Sequence, residues 1–329
     1  MNKVYFLKGF SRLESVSKKL LAGFYRPKSK ILVKLHFGEP GNQTAFFPKD
    51  IKPIVNALKS LKLKPILIDT PVVYNSLRNT VEGYTNVLRQ RGFDKLAPFV
   101  ISDQFIKVKT KDFTAEVCRE LVEANGVLVV SHVKGHGCSG FGGAIKNLGM
   151  GGVSKKTKGI EHDLSKPKFV SACRGCGTCA SVCPAGAIKM LNDKAEIDLK
   201  RCYGCSLCGI VCPYKCLAPK KRSFDDLLAQ GAAAVINHLP PKTFYVNVIK
   251  NVTKDCDCAT DSGKIVAGDL GVLFSENPVA IDKASIDLLR QANKREVFEE
   301  ITHKNPLLHV NYTAGYIGNN LSYSLLLVS

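Results

Sequence analysis

The stretch GVLVVSHVKGHGCSGFGGAIKNLGMGG, Gly126 to Gly152, begins as an apolar run and ends as one of the most glycine-rich segments of the chain. The apolar part, bounded by Gly126, reads as a buried strand that finishes at His132. The literal pattern G-x-G-x-x-G follows at Gly135, Gly137 and Gly140, so a dinucleotide-binding turn is the first reading to test. Such a turn needs its third glycine to open a regular helix, and an acidic residue about 20 positions later at the end of the next strand. Here glycines continue at Gly142, Gly143, Gly149, Gly151 and Gly152, and KKTKGIEHD carries no strand pattern. A P-loop fails as well, because Lys146 is followed by Asn147. The bare backbone reads instead as close packing or as amide nests for an anion, with Gly140, Gly142, Gly143 and Asn147 as the candidate cradle.

Outward from this stretch, helix and strand patterns alternate. SRLE at Ser11 reads as a capping box for a helix through Phe24. The strand ILVKLHF follows, then a helix from Asp50 to Leu61, the strand PILID, a helix from Thr80 to Arg91, the strand FVISD, and a helix from Thr114 stopped by Gly126. Strands of this kind separated by helices predict an α/β fold: a mostly parallel sheet with covering helices. Ligands of open parallel sheets sit beyond the carboxyl ends of the strands. His36, Asp69, Asp103 and His132 fall at those ends, and the loop HFGEPGN after the first adds Glu39 and Asn42. The pattern resumes late in the chain with a helix capped by Ser223, the strand TFYVNVI, a strand in KIVAGDLGVLFS and a long helix whose first position is Pro278. The expected organisation is one α/β domain made from residues 1–166 and 221–329, interrupted at 167–220. Three successive domains are the alternative.

The interruption carries CRGCGTCASVCP from Cys173 and CYGCSLCGIVCP from Cys202, each C-x2-C-x2-C-x3-C-P. In that motif three cysteines of a run bind one iron–sulfur cube and the fourth reaches to the other. The spacing therefore assigns Cys173, Cys176, Cys179 and Cys212 to one [4Fe-4S] cluster, and Cys202, Cys205, Cys208 and Cys183 to the second. Between the runs, LNDK reads as the turn of a short hairpin. The unit resembles a bacterial two-cluster ferredoxin, an α+β fold, over Lys168 to Pro219. Cys216 departs from that pattern and reads as a small buried side chain. Zinc on the same cysteines is the less specific reading. Further on, Cys256 and Cys258 in DCDCATDSG form a C-x-C pair that could add a metal site, with a reduced, metal-free pair as the alternative, and Cys118 reads as core on a helix.

At 329 residues and 45% hydrophobic composition the chain can bury one large core or two smaller ones. Its apolar runs are far shorter than the roughly 20 residues of a membrane span, and the first residues lack the apolar length of a signal peptide, so a cytoplasmic location is expected and the thirteen cysteines read as thiols and thiolates. The formal charge of +19 falls to roughly +15 if each cluster with its thiolates carries about −2. The lysines are scattered and no nucleic-acid-binding motif is recognisable, which ranks nucleic acid last among partners.

HFGEPGN at His36, SHVKGHGCSGFGGAIKNLGMGG from Ser131, the two-cluster insertion, DCDC through Cys258 and SENPVAIDKASIDL from Ser275 together resemble the family filed as domain of unknown function 362, in its ferredoxin-bearing form. In that family's pattern Asn277 stands where an aspartate is usual, and Asp282 is the matching acid. HGCSGFGGAIK, from His136 to Lys146, is similar to a stretch of the lactate racemase family. That likeness implies that His136, as acid or base, and Lys146, as positive anchor, face a small anionic ligand. The resulting expectation is an iron–sulfur oxidoreductase whose clusters exchange electrons with a soluble donor or acceptor protein and with a small ligand held by His36, His132, His136 and Lys146. An electron carrier or maturation partner without catalysis of its own is the alternative.

Overall fold

Side chains alternate across a strand, and this period of two sets the layers of the molecule. In Val127–His132, Val127 and Val129 enter one apolar cluster while Leu128 and Val130 enter another on the opposite face, all four fully buried. The computed structural model describes residues 1–329. Eight strands form the central sheet: β1 Asn2–Lys8, β2 Lys30–Lys34, β3 Lys64–Asp69, β4 Phe99–Ile101, β5 Val127–His132, β6 Thr243–Ile249, β7 Gly271–Ser275 and β8 Tyr323–Val328. Their order is β8-β1-β7-β6-β5-β2-β3-β4. β7 runs antiparallel to both neighbours, and every other neighbouring pair is parallel. The mostly parallel α/β sheet expected from the sequence is the observed one.

Helices cover both faces. Leu13–Leu21, Pro48–Ser60 and Val81–Gln90 pack Val16, Ile54, Leu58 and Val87 onto one side. Ala144–Gly151, Phe224–Ile236 and Pro278–Asn293 pack Ile145, Leu148, Val235 and Ile281 onto the other. Ser223 accepts from the amide of Asp226 as a cap, and Pro278 opens its helix behind Asn277, whose side chain accepts from Val279 and Ala280. No helix is long and apolar enough to cross a membrane.

Two sequence readings need correction. The capping box at Ser11 does not form; the helix starts at Leu13 behind Arg12, with no side-chain cap. The helix expected from Thr114 is instead a strand, Thr114–Cys118, paired antiparallel with Phe105–Lys109, and only Arg119–Val122 is helical. Ala115 and Val117 are buried while Thr114 is exposed, an alternation that the apolar spacing of Val117, Leu121 and Val122 conceals. Cys118 is in the core, as expected, but at a strand end.

The cysteine-rich segment leaves and rejoins the α/β layers at one place. Pro167–Phe169 pairs antiparallel with Leu217–Pro219, and just outside this pair the amide of Lys220 donates to the carbonyl of Lys166. Within it, Ile188–Leu191 pairs with Lys194–Ile197 across Asn192 and Asp193, both at positive φ, as a two-residue hairpin turn requires.

The glycine-rich stretch is where the second layer is tightest. A Cβ on Gly149 would lie 2.7 Å from Leu228 Cδ1 and 2.9 Å from the Leu228 carbonyl, so its helix and Phe224–Ile236 pack at backbone contact. Gly149→Val should cost about 1–3 kcal/mol by overpacking, read as a lowered urea midpoint; an unchanged midpoint would mean that the two helices are not this close.

Candidate functional site

At the carboxyl end of β2 the chain turns through Leu35 and His36 into a loop built around a buried arginine. Arg78, fully buried, donates through Nε to Glu39 Oε2 at 2.8 Å and points Nη1 at His36 Nε2, 2.7 Å away. The Gly38 amide meets the other His36 nitrogen at 3.1 Å. Donors on both sides leave a protonated imidazole without an acceptor, and burial, followed by the charges of Arg78 and Lys146, holds its pKa well below the usual histidine range. One strand over, Asp69 is buried between Lys34 Nζ at 2.9 Å and the Tyr84 hydroxyl at 2.5 Å. Lys34 also donates to Asn147 Oδ1 at 2.6 Å, and Asn147 anchors to the Val130 carbonyl and Ser131 Oγ. A Cβ on Gly151 would fall 2.3 Å from Lys34 Nζ, so this glycine makes room for the ion pair. Asp103 is exposed beyond β4 and takes no part.

His132 has the opposite environment. Its Nδ1 faces Asp257 Oδ2 at 2.8 Å and its Nε2 faces the Lys250 carbonyl at 2.6 Å, so both bonds need nitrogens that carry hydrogen. Phe46 stacks on the ring at 4.3 Å. Asp257 is fully enclosed, and although burial raises its pKa, His132 and Lys134 outweigh it and the net shift is downward. His132 is thus held as a brace for the loop that carries Asp257, not turned toward open space.

That loop brings Cys256 and Cys258 to His136. The imidazole nitrogen and the two sulfurs lie within 4.8 Å of one another, a group that could hold a metal ion only with both sulfurs as thiolates. The two cysteines are joined as a disulfide, which corrects the reading of all thirteen as free thiols. His136 Nδ1 accepts from the amides of Cys138 and Ser139, and burial with the charge of Lys146 lowers its pKa. Lys146 Nζ sits 3.9 Å from Cys256 Sγ, and burial lowers its pKa to about 8. His136, Lys146, Cys256 and Cys258 therefore converge; His36 lies beyond them in the Arg78 network.

The amides once read as an anion nest are already used. Asp282 accepts from Ala144 N at 2.7 Å and Ile145 N at 2.9 Å, and a Cβ on Gly143 would lie 2.3 Å from its Oδ1. Asn247 donates to the same carboxylate, and burial raises its pKa to about 6. Gly140, at φ +72, turns against the carbonyl of Lys304, and Gly142 lies against Lys146. These glycines admit neighbours of the same chain, and Asn147 positions Lys34.

In the cysteine-rich segment, Cys183, Cys202, Cys205 and Cys208 line one small cavity of about 20 Å³ together with Pro184 and Ile188. Cys173, Cys179 and Cys212 pack with Ala195 and Leu217 in an apolar cluster that also takes in Cys208 and Cys183, and Cys176 is exposed. Amides point at the sulfurs: Ala187 at Cys183, Gly204 at Cys202, and Ala195 at Cys173, at 3.3–3.4 Å. Burial pushes the Cys208 thiol up to about 12 and that of Cys205 upward, so only a bound cation would keep them as thiolates. Cys216 is buried, its sulfur 3.4 Å from that of Cys212. The unit docks where Lys304, fully buried and paired with Asp225 at 2.6 Å, donates to the carbonyls of both Cys205 and Cys138. Arg78, Lys34, Tyr84 and Lys304 carry no sequence signal; only the fold brings them here.

A mostly parallel α/β sheet with a disulfide and an imidazole grouped at its strand ends, beside a cysteine-rich segment, defines the class. Residues 31–287 match the family described as Domain of unknown function (DUF362), and the chain belongs to that family. No curated protein matches its sequence. Among solved structures, a protein from Thermotoga maritima is similar at 11% identity and a TM-score of 0.48, over 91% of this chain and 61% of the other. The lactate racemase apoprotein from Thermoanaerobacterium thermosaccharolyticum is similar at 14% identity and a TM-score of 0.35, over 83% of this chain and 54% of the other. The chain thus spans less than two thirds of either, and neither likeness carries a functional argument.

Glu39→Ala should leave Arg78 charged, buried and unpaired at a cost of about 3–5 kcal/mol, whereas Glu39→Ala with Arg78→Met should recover a large part of it; strictly additive losses in urea unfolding would contradict the pairing. Lys158, buried against Thr70 Oγ1 and the Pro71 carbonyl, has its pKa lowered by burial to about 7. The unfolded chain therefore binds more protons between pH 7 and the ordinary lysine range, and stability should rise with pH there by up to about 1.4 kcal/mol per unit. Urea midpoints of the protein and of Lys158→Met, compared from pH 7 to 9, should show that slope only when the lysine is present.

Proposed function

We propose that this chain is an iron–sulfur protein that holds two [4Fe-4S] clusters, and that electrons pass between them and a small ligand at the carboxyl edge of the sheet. Cys173, Cys176, Cys179 and Cys212 hold one cluster; Cys202, Cys205, Cys208 and Cys183 hold the other. When bound, the clusters supply one-electron transfer. The observation that carries this reading is the shared space lined by Cys183 together with Cys202, Cys205 and Cys208. Three of these come from one run and the fourth from the other, as the crossed ligation of the motif requires. The antiparallel pair at Pro167–Phe169 and Leu217–Pro219 supports treating residues 167–220 as an insertion in an α/β domain made from 1–166 and 221–329.

At the strand ends, Lys146 anchors an anionic ligand, and His136 presents the one ring nitrogen not taken by the Cys138 and Ser139 amides. His36 and Arg78 form the wall behind them, and His132 fixes the Asp257 loop from below. This makes the protein an oxidoreductase that works on a small anion, with a second protein as electron donor or acceptor.

The second reading, an electron carrier or maturation partner that acts only by docking, is favoured by the outer surface of the cysteine unit. Tyr203, Ile210 and Tyr214 are about half exposed in that unit, and Cys176 is exposed. A spectral change of the clusters on adding small anions would separate enzyme from carrier.

Anaerobically purified protein should contain about eight iron and eight acid-labile sulfide per chain, and Cys205→Ala about half of each. One or two zinc ions without sulfide would overturn the assignment.

A further inference from the structure

We infer that Cys256 and Cys258 are a redox-active pair, a two-electron disulfide/dithiol centre built into the α/β domain against the cysteine-rich unit. The inference rests on the proposed function only for the natural source of electrons and for the anion they reach. Three observations carry it.

First, the bridge has little value as a staple. It closes a loop between residues two apart, and the entropy that a disulfide removes from the unfolded chain grows with loop length. Second, the loop is fixed without it. Asp257, between the cysteines, is held by His132 and Lys134; the Cys256 carbonyl accepts from Ser262 Oγ at 3.0 Å, and the Cys258 carbonyl accepts from the Tyr74 hydroxyl at 3.0 Å. Asn42 donates to the Ala259 carbonyl and to Ser262 Oγ. The sulfurs can therefore part and rejoin while the backbone stays in place. Third, the pair lies beside the crossed cysteine set. Gly137 is wedged between the two: a Cβ there would be 3.7 Å from Pro184 Cβ, next to Cys183, and 3.8 Å from Asp255 Oδ1, next to Cys256. One residue further, the Cys138 carbonyl shares Lys304 Nζ with the Cys205 carbonyl.

The disulfide takes two electrons from two equivalents of a low-potential one-electron donor and two protons. The S–S bond breaks and two S–H bonds form. Solvent gives both protons, and Lys146 Nζ, 3.9 Å from Cys256 Sγ, attracts the negative charge that develops there. The Cys258 amide, directed at Cys256 Sγ at 3.4 Å, stabilises the charge that develops on that sulfur. A pair that stores two electrons converts single-electron delivery into a two-electron reduction of the bound anion.

The test is an anaerobic titration of the full chain with sodium dithionite, quenched in acid, alkylated and read by mass spectrometry of the peptide containing both cysteines, with iron, sulfide and the cluster spectrum recorded on the same samples. The expected result is an unalkylated, oxidised pair before titration and two alkyl groups after two electron equivalents. Lys146→Met should slow the reduction at least tenfold at unchanged iron content. A pair that stays bridged while the cluster spectrum bleaches overturns the inference and leaves the iron–sulfur reading standing. A stoichiometric non-cluster metal that is lost in Cys256→Ser and His136→Ala, with the pair never bridged, also overturns it. Iron and sulfide absent from the protein would sink the iron–sulfur reading, while the alkylation pattern would still decide for or against the pair.

Discussion

A single buried carboxylate organises the second layer of this protein. Asp282 takes the first two free amides of the helix Ala144–Gly151, and it can do so only because Gly143 has no side chain to stand in its way. The amides of a helix start must find acceptors, and here the acceptor belongs to another helix, Pro278–Asn293, so the cap is at the same time a joint between two elements. Burial opposes its ionisation, and the bonds from Asn247 and the two amides offset that opposition only in part. From this joint the short helix runs at backbone contact past Phe224–Ile236. It delivers Lys146 toward the sulfurs and Asn147 toward Lys34. The glycines that suggested an open cradle are the means by which a helix is fitted into a crowded space.

The strand ends divide into two electrostatic compartments. Around Arg78, donors predominate and His36 is kept neutral; around Asp257, acceptors surround His132 and the carboxylate is favoured as the ion. Between them, Lys146 and His136 lie against the sulfurs of Cys256 and Cys258.

Much of the architecture was legible because its signals are local. Apolar runs gave β2, β3, β5 and β6, Ser223 and Pro278 marked helix starts, and Asn192-Asp193 marked the hairpin. The strand Thr114–Cys118 was misread because five residues with Val117 near Leu121 and Val122 satisfy a helical spacing as well as a strand one, and only pairing with Phe105–Lys109 decides. β1 and β8 escaped notice because each depends on the other end of the chain: Asn2 pairs with Tyr323. The spacing of the two cysteine runs marks them as candidate metal ligands, whereas the C-x-C pair, read as a metal site or a reduced pair, is a disulfide. Arg78 and Lys304 carry no such mark, since a lone basic residue in a sequence says nothing about the carboxylate it will be buried against. Asp69 was placed correctly at a strand end, but its role as the partner of Lys34 needed the fold.

The small antiparallel pair at Pro167–Phe169 and Leu217–Pro219 bears on how the chain reaches its native state. Val127 on β5 must find Thr243 on β6, a parallel contact between strands that lie far apart along the chain. Contacts of this kind are slow to form, because the intervening chain must be closed into a loop before any of them is made. Once the cysteine-rich excursion has folded on its own short-range contacts, its two ends emerge side by side. For the search between β5 and β6 the loop is then effectively shorter by the whole length of the excursion. Closure of this small pair would thus help set how quickly the central sheet can be completed.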